Sequence, residues 1–198
     1  MNIFIFNIRF GMNEENTGVS LYSKKVLIKP KCLELLPNYL RMVKGVIDCA
    51  DIPLSISRET YQDSSLIYKL KNVITKRILM RLEDESKNDP EVYDKWYDEF
   101  HQQLKEGIVS DTDNSEIIMR LQRFRSNIND KRLGIEEYIS QMMKDQEKIY
   151  FIINTDTENP ASSVYVETYK GTGLPVLISS NPFDEVIFRQ LSQYKSNY

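Results

Sequence analysis

Cysteine, glycine, histidine and long apolar runs are all scarce in this chain, and each scarcity removes a class of function. The two cysteines among 198 residues, Cys32 and Cys49, stand far apart and form no C-x-x-C pair. Neither a disulfide framework nor a zinc site is expected from them. The one histidine, His101, sits in "YDEFHQQL". A single imidazole cannot build a His-rich metal site, so an exposed or half-buried helix position is its expected place. The seven glycines form neither a P-loop nor a G-x-G-x-x-G, and G-x-S-x-G is missing as well. The chain therefore lacks the parts of a self-contained enzyme. No apolar run approaches the roughly 20 residues that span a bilayer. "MNIFIF" is too short for a signal peptide and lacks a basic start. Positive charge is not in excess either: the net charge is −3, which leaves no general electrostatic footprint for nucleic acid.

What is present is an ordinary globular balance, 41% hydrophobic and 28% charged. "SLYSKKVLIK" (20–29) reads as β structure, "CLELLPNYL" as a short helical piece and "RMVKGVIDC" as a second strand. Residues 65–87 predict a long helix, with Leu66, Leu70, Val73, Ile74, Ile78 and Leu82 on one face and Asp63 or Ser64 as its cap. The basic residues Lys69, Lys71, Lys76, Arg77 and Arg81 alternate with that stripe and read as a solvated face. "DPEVYDKWYDEFHQQLKEG" predicts a second helix, capped by Asp89, led by Pro90 and ended by Gly107. Its aromatic stripe, Tyr93, Trp96, Tyr97 and Phe100, reads as core. "NSEIIMRLQRF" predicts a third helix.

Residues 125–134, "RSNINDKRLG", read as a linker. Beyond them come a short helix, a buried strand in "EKIYFIINT", a short helix stopped by glycines, and a strand in "LPVLISS". A last helix is capped by Asn181, with Pro182 first and Asp184 in its first turn. Strand, helix, strand, helix at this spacing predicts a small α/β unit with a parallel sheet.

One stretch resists this reading. In "DIPLSISRETYQD" (51–63) a proline-led segment runs towards a helix start and places Arg58 there. A cation at a helix N-terminus is disfavoured by roughly 0.3–1 kcal/mol. Taken alone, Arg58 would be paired with Glu59 or Glu34.

The blocks "LYSKKVLI", "LLPNYLRMVKGVID", "DIPLSISRETYQDS", "LKEGI", "EKIYFI" and "NPFDE" occur in the order and separation found in the middle domain of the heat-shock protein 90 chaperones. The chain resembles that domain from about Val19 to Leu191. "QDSSLIYKL" and "KEGIVSD" are more similar to the bacterial and mitochondrial branches than to the cytosolic one, which favours an organelle (mitochondrion or plastid) over the cytoplasm. The resemblance implies an α/β fold: a large αβα subdomain (1–88), shortened at its N-terminus, a helical connector (89–130) and a small αβα subdomain (131–198).

The resemblance also implies a role for Arg58. In the family this Arg lies on a catalytic loop and reaches the γ-phosphate of ATP held, with Mg, in a separate N-terminal domain. The family's catalytic Gln corresponds to Gln62. Departures at Ser55 and Ala50 bear on loop contacts but leave Arg58 and Gln62 in place. Implied partners are client proteins, the chain's own N-terminal ATPase domain and co-chaperones, within a full-length homodimer. The fragment by itself would be inactive. If shortened, the first sheet has a vacancy that "NIFIFNIRF" is expected to fill, by folding back or by pairing with a neighbouring molecule. The competing reading is a free-standing protein-binding adaptor with no ATPase link.

Overall fold

The structure, a computed structural model, describes residues 3–10, 18–50, 64–128, 132–155, 164–169 and 171–191. Thirteen elements follow one another: β1 (Ile3–Phe10), β2 (Gly18–Ser23), β3 (Val26–Cys32), β4 (Val43–Cys49), α1 (Ser64–Asn88), α2 (Pro90–Ser110), α3 (Ser115–Arg120), β5 (Arg125–Ser126), α4 (Ile135–Ser140), β6 (Tyr150–Ile153), α5 (Val164–Glu167), β7 (Val176–Ser179) and α6 (Asp184–Leu191). This is the expected mixed α/β class. The chain divides into two compact units, one of residues 1–82 with 102–107 and the other of residues 83–101 with 108–198.

The first unit is built on a four-stranded sheet of order β1-β4-β2-β3. β2 alternates in burial, with Val19, Leu21 and Ser23 inward, the period-two pattern of a sheet with one covered face. β4 is central. It runs parallel to β2 and antiparallel to β1. The N-terminal apolar segment thus folds back onto the sheet, pairing Ile3 with Cys49 and Phe10 with Val43. The expected strand over 20–29 is instead a tight hairpin, broken at Lys24 and Lys25, both at positive φ. "CLELLPNYL" forms two 3₁₀ turns, Leu33–Leu35 and Asn38–Leu40, rather than one helical piece. Pro37 separates them, since its ring denies the preceding residue a helical conformation.

α1 runs the full length expected. Leu70, Ile74, Ile78 and Leu82 are buried while Lys69, Lys76, Arg77 and Arg81 are exposed, so the apolar stripe and the basic face are as read. Asp89 caps α2, its Oδ1 accepting from the Val92 amide at 3.3 Å. Gly107 does not end that helix, which continues to Ser110. Gly107 is buried, as are its neighbours Lys105 and Ile108, and burial overrides the local preference for a stop. Cys32 and Cys49 are both buried and are not joined in a disulfide.

The second unit holds a three-stranded sheet of order β5-β7-β6. β6 and β7 are parallel and β5 is antiparallel to β7. All four residues of β7 are buried. β6, expected to be buried, is an edge strand with Tyr150 and Phe151 about two-fifths exposed. The linker expectation at 125–134 also changes. Arg125 and Ser126 are β5, Phe124 bridges Leu133, and the Asn127 side chain is tied to Leu174 and Val176. Turn residues in sequence here make a sheet edge rather than a tether. α3 stops short of its expected end, at Arg120, because Phe124 is drawn into a bridge with Leu133 instead of continuing the helix.

The α2 stripe is core. Tyr93 and Phe100 are almost wholly buried, and the Tyr93 hydroxyl donates to the Leu121 carbonyl at 2.6 Å. Tyr97 donates to Gln122 Oε1 at 3.0 Å. Burial pushes both phenols well above their ordinary range. His101 is half-buried and lies against the Tyr97 ring, as expected of a helix residue. Asn181 opens the last helix, its Oδ1 accepting from Phe183 N at 3.0 Å.

Candidate functional site

Arg58 and Gln62, with the cap Asp63, lie outside the described residues. What the structure gives are the two ends between which residues 51–63 are strung. One is the exit of β4. Cys49 there is fully buried, and Asp48 faces Phe4 of β1 and Tyr22 of β2 in the ladder. The other is the start of α1 at Ser64.

Asp48 is the side chain of interest at the β4 exit. Its Oδ2 accepts from the Lys25 backbone N–H at 3.0 Å. Its Oδ1 is shielded from solvent and has no hydrogen-bond partner among the described residues. Lys24 and Lys25 adopt φ of 48° and 68°, the left-handed conformation that a two-residue hairpin turn requires at both centres. Sequence reasoning missed this arrangement. The usual hairpin signal is Asn-Gly or Asp-Gly, and "SKKV" carries neither.

Elsewhere in the same unit Arg41 forms a bidentate pair with Glu106, at 2.6 and 2.8 Å. This fork geometry is a structural contact, made in part-exposed surroundings. In the second unit a cleft of about 610 Å³ is lined in part by Glu83, Lys87, Arg120, Arg123 and Glu137. Its charges are already matched: Glu83 takes Arg120 at 2.8 Å and Lys87 at 3.3 Å, and Glu137 caps the Gly134 amide at 2.6 Å. Among the described residues no group of His, Cys, Asp or Glu could hold a metal ion, and no helix is long and apolar enough to cross a membrane.

The class of protein comes from comparison with known families. The family model described as "Hsp90 protein" matches residues 6–198, and the chain belongs to that family. Among curated relatives it is 37% identical over 188 residues to the "Chaperone protein HtpG" of Desulfitobacterium hafniense (strain Y51), covering 94% of this chain and 31% of that protein. It is 41% identical over 187 residues to the HtpG of Buchnera aphidicola subsp. Cinara cedri, covering 92% and 30%. To that of Yersinia pestis it is 38% identical over 181 residues, covering 90% and 29%. These relatives are bacterial, in line with the branch suggested by the sequence blocks. The chain spans about three-tenths of the length of each.

Proposed function

We propose that the chain works as the middle segment of an ATP-dependent chaperone and supplies Arg58 to the γ-phosphate of ATP held in another domain of the same protein. One observation carries the reading: Arg58 and Gln62 fall in "SRETYQ", inside the span that the family model matches. Arg58 contributes positive charge where the terminal phosphate gains negative charge, and its planar, permanently protonated guanidinium can take two phosphate oxygens at once. Gln62, a neutral amide, orients rather than compensates charge. Because the cation comes from a different domain than the one that holds adenine and ribose, hydrolysis depends on the two meeting. Mg and the nucleotide belong to that other domain. This chain's own contribution is a side chain and the scaffold that presents it.

Client binding, co-chaperone contacts and a full-length homodimer belong to the same proposal, supported by family membership. So do residence in an organelle and the division into large subdomain, connector and small subdomain at residues 88 and 130. The adaptor reading has no observation that favours it over this one. Titration calorimetry of the isolated chain with Mg-ATP is the first test. No binding in the micromolar range is expected, since the nucleotide pocket is assigned elsewhere. Tight binding by this chain alone would overturn the assignment.

A further inference from the structure

We draw no further inference here: the strongest candidate, the apolar edge of the second unit's sheet at β6, where Tyr150 and Phe151 are about two-fifths exposed, carries nothing, because nothing in the structure shows what covers it.

Discussion

Replacing Tyr138 with Phe should unfold the second unit's sheet more easily than any loss of apolar contact would explain. Tyr138, in α4, is fully buried. Its hydroxyl donates to the Pro175 carbonyl at 2.7 Å and accepts from the Tyr150 amide at 2.9 Å and from Gln146 Nε2 at 3.0 Å. One oxygen thereby ties α4 to the residue before β7 and to the first residue of β6. Phe keeps the ring and its packing, so the change isolates the hydroxyl. Gln146 retains a second acceptor, the Lys148 carbonyl at 2.8 Å. Tyr150, being half-exposed, can turn its amide to water. The Pro175 carbonyl is at a buried residue and has the most to lose. An orphaned buried acceptor costs about 1–3 kcal/mol and a lost bond to a group that water can reach about 0.5–1.5 kcal/mol. Together these give about 1.5–4.5 kcal/mol, which for a chain of this size is a fall in Tm of roughly 3–18 °C. Denaturant titration of the isolated chain, followed by far-ultraviolet circular dichroism, measures it. A loss below about 0.5 kcal/mol, the range of ordinary surface substitutions, would refute the assignment of Tyr138 as the knot of this unit.

Other outcomes follow from the same contacts. Burial raises the affinity of Glu83 for its proton, but the Arg120 hydrogen bond and charge, with Lys87, outweigh it and hold the carboxyl below its usual 4.5. A depressed folded-state value means stability that is present above 4.5 and is lost as pH falls through the lower value. The stability gap between wild type and Glu83→Gln should therefore be full at neutral pH and shrink in acid, and a gap that widens in acid would contradict the pairing. Ile74→Ala, in the buried stripe of α1, should cost about 2–5 kcal/mol in equilibrium unfolding. Lys69→Ala on the exposed face should stay within about 0.5 kcal/mol, and equal costs would mean the face is misassigned.

Periodicity made the two long helices legible. α1 shows its stripe at helical spacing, and α2 adds a Pro at its first position and an Asp cap, signals that act locally and need no tertiary context. The parallel β6–β7 pair was legible from strand and helix alternation. The failures have a common cause, which is tertiary override of a local cue. Gly107 reads as a stop, yet it is buried inside α2. "RSNINDKRLG" reads as a tether because its residues favour turns, but Asn127 uses its amide to satisfy Leu174 and Val176 across the sheet edge. "YFII" reads as buried on composition, while its place at the sheet edge leaves Tyr150 and Phe151 about two-fifths exposed. The turn at Lys24–Lys25 has no local signal, because a carboxylate 23 positions along the chain helps to hold it. The role proposed for Arg58 rests on resemblance to a family. In the sequence, a cation expected near a helix start raises a question without saying what the residue acts on.

The central claim is that Arg58 acts on the terminal phosphate of a nucleotide bound in another domain. Its most direct test is steady-state ATP hydrolysis by the full-length protein carrying Arg58→Ala, with nucleotide affinity titrated in parallel. An interaction made mainly on the way to the transition state lowers kcat when removed and leaves ground-state binding alone. The account predicts a fall in kcat on the order of 10²–10³, the loss typical of one electrostatic donor, with nucleotide affinity nearly unchanged. Arg58→Lys should recover only part of it, since a point charge lacks the guanidinium fork. Wild-type turnover in Arg58→Ala, or a defect lying wholly in nucleotide affinity, would contradict the account and return Arg58 to an ordinary ion pair.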